Sequence, residues 1–196
     1  SYDSDYNCNN TQFRYNLSSN SEGGFLLLCN SGGWPEEWSM GNNGTIVEYN
    51  ISINDGIRKH IVTEKKTEYY SPIIHITGPT RNSRIEKNIF YVCKKELPKM
   101  DKRIIHSDDW HGYADSTFFR NNYIFVEEPT IAFDATKSTN NFIEANLYVG
   151  PLKYSGDGFK KHAGKFDRTL WYNAKDENWS KLIEWKRNSS IGNYRV

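Results

Sequence analysis

The fold class this sequence predicts is an antiparallel β-sandwich or jelly roll with at most one or two short helices, and three observations carry that prediction. Aromatic residues make up 15% of the chain, as 13 Tyr, 10 Phe and 6 Trp, the ring-rich composition of strands rather than of helical bundles. Alternating apolar runs, about ten of them at spacings of roughly 8 to 14 residues, are separated by Gly, Pro and Asn turns. The pattern shows no βαβ alternation and no internal repeat, which leaves a closed lipocalin-like barrel as the second choice. With 196 residues the chain fits a single domain. We read residues 1–23 as a polar N-terminal arm and 24–196 as one β-sandwich domain.

Element by element, GFLLLCN (24–30) is a continuous apolar run that reads as a buried strand, and it ends in the Gly/Pro loop SGGWPEEW. TIVEYNISI (45–53) alternates, with Val47, Tyr49, Ile51 and Ile53 on one face and Asn50 on the solvent face beside Glu48 and Ser52. With Asn54-Asp55-Gly56 as turn and IRKHIVTE as second strand, it predicts a β-hairpin. SPIIHIT (71–77), IEKNIFYVCKK (85–95), 117–126, TIAFDAT (130–136), FIEANLYV (142–149) and RTLWYNA (168–174) read as further strands. ENWSKLIEWKR (177–187) fits a short amphipathic helix slightly better than a strand.

Charge and cysteine content narrow the function classes. The 25 basic and 24 acidic residues give a net charge of +1, which argues against a general nucleic-acid binder. No apolar run is long enough to span a membrane, and no signal peptide is present, so a chain starting at Ser1 reads as a mature or trimmed form. Three cysteines allow at most one internal bridge; Cys29–Cys93 is the first expectation, from strand alternation, and Cys8–Cys29 the alternative. Sequons occur at Asn9, Asn16, Asn43, Asn50, Asn178 and Asn188, against about three expected by chance from the Asn and Ser/Thr content. That excess points to a secreted, glycosylated protein.

The chain lacks G-x-S-x-G, H-E-x-x-H, a P-loop, paired C-x-x-C and an EF-hand loop, so no cofactor is implied. Its densest chemistry is DKRIIHSDDWHGYADSTFFRNNYIFV (101–126), where two imidazoles and two carboxylates fall within six positions. Three readings follow. In an acid/base site, His106 or His111 is oriented by Asp109, as in sugar lyases or hydrolases. In a metal site, His106, Asp108 or Asp109, and His111 would serve as ligands, but the five-residue His spacing suits only a loop, and none is assigned. In the plainest reading, Asp residues cap a connecting loop and Trp110 plugs one end of the sandwich.

The leading functional expectation is a binding module for an extracellular carbohydrate or partner protein, with Trp34, Trp38, Trp110 and Tyr113 as anchors. The second is a carbohydrate-active enzyme centred on His106, Asp109 and His111. Residues 151–196 hold ten Lys plus Arg against five Asp plus Glu, so Lys160, Lys161, Lys165 and Arg168 are expected to attract an anionic ligand.

Overall fold

The computed structural model describes residues 1–31, 33, 41–58, 71–92, 101, 103–127, 130–135, 141–149, 152–155 and 170–172. The chain runs through β1 (Tyr2–Ser4), β2 (Gln12–Arg14) and β3 (Leu17–Ser19), then starts the same circuit again. The second circuit holds β4 (Leu26–Cys29), β5 (Asn42–Asn43), β6 (Ile46–Glu48) and β7 (Ile51–Ile53). The third holds β8 (Ile74–Thr77), β9 (Thr80–Arg81), β10 (Arg84–Glu86) and β11 (Ile89–Val92). Next come β12 (Arg103–Asp108), β13 (Phe118–Arg120) and β14 (Tyr123–Val126), then β15 (Thr130–Ala135), β16 (Phe142–Glu144) and β17 (Leu147–Val149). Last are β18 (Leu152–Ser155) and β19 (Leu170–Tyr172).

Strands from successive circuits stack side by side into three faces. Sheet A has the order β1-β4-β8-β12-β15-β18, sheet B the order β16-β13-β10-β6-β2 and sheet C the order β19-β17-β14-β11-β7-β3, with β5 and β9 forming a short fourth sheet. Every pairing among the described strands is parallel. The architecture is therefore a three-faced parallel β-solenoid, not the expected antiparallel sandwich, jelly roll or barrel, and the described residues contain no helix. Nor does the expected hairpin form. β7 is flanked by β3 and β11 on its two edges, and after the Asn54-Asp55-Gly56 turn the backbone N–H groups of Gly56 and Ile57 donate to Ser21 O in the preceding coil.

The corner between sheets B and C explains both the fold and the misreading. At this corner each coil spends two residues: the first in the left-handed region, Tyr15, Tyr49, Lys87, Asn121 and Ala145 with φ 58°, 60°, 61°, 57° and 53°, the second always asparagine. Alternation counted straight through the left-handed residue merges two short strands on different faces into one long one. Asn16, Asn50, Asn88, Asn122 and Asn146 stack as a ladder. The backbone N–H of Asn16 reaches Asn50 Oδ1 at 3.0 Å, Asn50 reaches Asn88 Oδ1 at 3.0 Å, Asn88 reaches Asn122 Oδ1 at 3.0 Å and Asn122 reaches Asn146 Oδ1 at 2.9 Å. Each amide from Asn50 onward also donates, at 2.9 Å, to a carbonyl of the coil before it: Phe13, Val47, Ile85 and Phe119 respectively. A buried corner thereby satisfies groups that would otherwise go unpaired.

The repeat behind this corner is legible in the sequence: FRYNL, VEYNI, IEKNI, FRNNY and IEANL, an apolar residue, a charge, any residue, Asn and an apolar residue. It corrects the reading of no internal repeat. It also gives the sequons of the first 50 residues a structural origin. Asn16 and Asn50 are ladder residues followed by the inward-facing Ser18 and Ser52. Asn9 and Asn43 pair in an isolated parallel bridge one corner earlier, before Thr11 and Thr45. Asn50 is 1% exposed, so it does not project to solvent as its alternation with Glu48 and Ser52 had suggested. Asn178 and Asn188 lie outside the described residues, as does the expected helix at 177–187.

Inside the three faces lies one core. Leu26, Leu28, Ile74, Ile76 and Ile105 of sheet A meet Val47, Ile85, Phe119 and Ile143 of sheet B and Phe90, Val92, Ile124 and Val126 of sheet C. Each side chain of this kind contributes about 1.5–3 kcal/mol on burial. The polar segment 1–23 is itself the first coil, since β1, β2 and β3 pair with β4, β6 and β7. The expected disulfide is absent. Cys29 is a buried free thiol whose Sγ donates to Asp5 Oδ1 at 2.9 Å, and Cys8 is also free; Cys93 lies outside the described residues. Burial first, and then the hydrogen bond with Asp5, push the Cys29 thiol up, so it is not a thiolate nucleophile.

Candidate functional site on sheet A

Sheet A carries a cluster of ionisable groups on its outer surface. In β8, Ile74 and Ile76 point into the core, which turns His75 and Thr77 outward. In β12, Ile105 points inward, so His106 and Asp108 share the outer side. The register sets His106 beside His75 and Asp108 beside Thr77, and the two imidazoles stack at 5.8 Å with 27° between their planes.

Both rings face one carboxylate oxygen. His75 Nε2 lies 3.2 Å and His106 Nε2 3.4 Å from Asp108 Oδ2. On its other side, His106 Nδ1 is 2.8 Å from the Arg103 guanidinium. Arginine has only donors, so Nδ1 accepts, and the His106 proton sits on Nε2, facing Asp108. Arg103 is held in turn by Asp101, through Nε to Oδ1 at 2.8 Å and Nη2 to Oδ2 at 2.7 Å, the bidentate geometry that fixes a guanidinium. Burial works to raise the Asp108 carboxyl. Hydrogen bonds from His106, His75 and Thr77, with the charge of His75, outweigh burial and hold it well below the usual carboxylate range. His75 and Asp108 remain reachable from solvent, with side-chain exposures of 23% and 27%, against 9% for His106.

The loops leaving sheet A stack at the same end. A Cβ on Gly78, whose φ is 75°, would overlap the Asn30 carbonyl oxygen, so the exits of β4 and β8 pack as closely as only glycine permits. Trp110 meets Tyr6 edge-on at 5.6 Å. His111 lies over Gly33, where a Cβ would come within 2.9 Å of its ring.

Of the expected triad, only His106 belongs to this cluster. Asp109 lies past the end of β12 and is exposed; its Oδ1 accepts from Gly112 N at 3.0 Å, and it makes no hydrogen bond to either histidine. His111 is exposed, with φ 58°. The carboxylate of the cluster is Asp108, one position earlier, and its solvent-facing imidazole is His75, 33 residues away. A period-2 reading of IIHSD would have found the first, because residues 106 and 108 share a face; only the coil register brings in the second. Among the described residues no group of three or more His, Cys, Asp or Glu side chains forms a metal-binding arrangement. Trp110 and Tyr113 are partly buried. Trp34, Trp38, Lys160, Lys161, Lys165 and Arg168 lie outside the described residues.

Comparison with protein families, curated proteins and solved structures returns no match.

Proposed function

We propose that sheet A is a carbohydrate-processing face, with His75 as the proton-exchanging group of a polysaccharide lyase or hydrolase. The observation that carries this reading is the convergence of His75 and His106 on the ionised Asp108. A carboxylate that fixes the orientation of a solvent-reached imidazole is the arrangement acid/base catalysis uses. In this reading His106, wedged by Arg103, is a positioning residue that keeps Asp108 turned toward His75.

The substrate class follows from shape. Six parallel strands at about 4.8 Å spacing make a face about 24 Å across the strands, long enough for several sugar units of an extended chain, and solenoids characteristically bind along such surfaces. The Tyr6–Trp110 pair at the edge of the face offers an aromatic surface of the kind sugars stack on. A panel of neutral and uronic-acid polysaccharides, assayed for new reducing ends and for unsaturated products, tests the proposal. Cleavage of at least one polymer is expected, with His75→Ala lowering turnover by about 10²-fold or more while the melting temperature stays nearly unchanged. Binding without cleavage would leave sheet A as a recognition surface; full activity in His75→Ala would remove His75 from the chemistry.

A further inference from the structure

Asn43-Gly44-Thr45 and Asn50-Ile51-Ser52 are two sequons on one coil, and the fold treats their asparagines in opposite ways. Each is flanked by coils on both sides, Asn43 by Asn9 and Arg81 and Asn50 by Asn16 and Asn88. At Asn50 the carboxamide is fully committed. Its Oδ1 accepts from the Asn16 backbone N–H at 3.0 Å and from Asn16 Nδ2 at 2.9 Å. Its two amide hydrogens go to Phe13 O and Asn88 Oδ1, both at 2.9 Å, and the residue is 1% exposed. At Asn43, Nδ2 gives one hydrogen to Asn9 Oδ1 at 3.4 Å and Oδ1 accepts from Asn82 Nδ2 at 2.8 Å, both at the exposed surface. Its second amide hydrogen has no partner among the described residues, and Asn43 is partly exposed.

The serine that completes the Asn50 sequon is explained without a sugar. Ser52 Oγ donates to Asp55 Oδ2 at 2.6 Å, and Asp55 Oδ1 accepts from Ser21 N at 2.9 Å. In later coils the same inward place holds Phe90 and Ile124, and the motif is lost although the ladder asparagine stays. We propose that Asn43 is a site that carries an N-linked sugar on the folded solenoid, and that the same modification at Asn50 and folding exclude each other. Transfer joins Nδ2 to the anomeric carbon of the sugar, breaks that carbon's bond to the phosphate of its donor and releases one amide hydrogen as a proton. At Asn43 the hydrogen lost is the unused one, and the sugar, bulky and hydrated, extends into water. At Asn50 either hydrogen is a ladder bond, so the sugar removes a buried hydrogen bond and meets a close-packed corner. Transfer to Asn50 is open only before the ladder closes, and a chain modified there does not complete its corner.

Coexpression of the full chain with a soluble N-glycosyltransferase, which adds a single glucose from UDP-glucose to sequons of the nascent chain, tests this. Peptide mass spectrometry then gives the occupancy of each asparagine in the soluble folded fraction and in the aggregated one. Asn43 should be occupied to a similar extent in both, whereas occupied Asn50 should be depleted at least about tenfold from the folded fraction. Ser52→Thr keeps the hydroxyl and the sequon. Its folded yield should match wild type without the enzyme and fall, like that of wild type, when the enzyme is present. Folded protein carrying glucose on Asn50 at the occupancy of the aggregate would overturn the proposal, as would depletion of occupied Asn43 from the folded fraction or an Asn43 left bare in both. An Asn50 left bare even in the aggregate, in wild type and Ser52→Thr alike, would place the exclusion in the sequence rather than in the ladder and overturn it equally.

Discussion

The B/C corner and the outer surface of sheet A are built by the same in-register stacking, yet they differ in what is stacked. At the corner every coil from β2–β3 to β16–β17 places asparagine, and each of the inner three, Asn50, Asn88 and Asn122, is satisfied by its neighbours above and below. On sheet A the equivalent column reads Asp3, Leu27, His75, His106 and Asp134 in register, a different residue type at almost every step. A column of like residues holds coils together, because each member completes the next. A column of unlike residues that includes a buried imidazole, His106, needs a reason other than stacking, and the proposed acid/base role would supply one.

The largest effect should come from breaking the uniform column. Asn88 accepts from Asn50 and donates to Val47 O, Glu86 O and Asn122 Oδ1. Asn88→Ala strands several buried partners at once, each worth about 1–3 kcal/mol, so a loss of roughly 3–5 kcal/mol is expected in urea unfolding. A loss under about 1 kcal/mol would mean that the ladder decorates the corner rather than holding it.

On sheet A the sharper probe is pH. The Asp108 carboxyl titrates well below its unfolded value, so its contribution is fully present above about pH 4 and is lost as pH falls toward the folded value. Asp108→Asn removes that contribution. The melting temperatures of wild type and Asp108→Asn should differ most near neutrality and converge toward pH 2. A difference that stays constant down to that pH would detach Asp108 from the two histidines.

How much of this the sequence disclosed depends on the range of the interaction. Strand content was readable, since runs such as Leu26–Cys29, Ile74–Thr77 and Thr130–Ala135 fall inside the expected strands. Sheet type was not readable by alternation. Parallel pairing joins residues 21 to 48 positions apart, as Asp134 with Ser155 and Leu26 with Ile74, and loops of unequal length hide that period from any fixed-spacing search. The proposed site follows the same rule: the dense stretch of titratable residues points to His106, whereas only coil stacking makes His75 its neighbour.

A smaller effect should come from backbone strain at the corner. Ala145 occupies the left-handed region with φ 53°, which asparagine tolerates better than alanine. Ala145→Asn, the residue already found at Asn121, should stabilise by about 0.5 kcal/mol, read as a rise in the urea midpoint at constant slope. An unchanged or lowered midpoint would show that the ladder bonds already determine the corner geometry regardless of the residue in front of them.

The smallest effect is expected on the outside of sheet B, and it limits how far the contrast between like and unlike columns extends. Arg14, Glu48, Glu86 and Arg120 stack there as unlike residues, with Arg14–Glu48 at 2.7 Å and Arg120–Glu86 at 2.9 Å. Variety alone would mark this column as a second site. Here the exposed members are the cations: the Arg14 side chain is 40% exposed against 12% for Glu48, so water screens the pair at the guanidinium and the long side chain gives up entropy to hold it. Arg14→Ala should therefore cost no more than about 0.5 kcal/mol, and that cost should vanish in roughly 1 M salt, where charges act over only about 3 Å. A cost above about 1 kcal/mol that survives such salt would mean that the pair is part of the scaffold, and that desolvation rather than residue variety distinguishes the sheet A cluster.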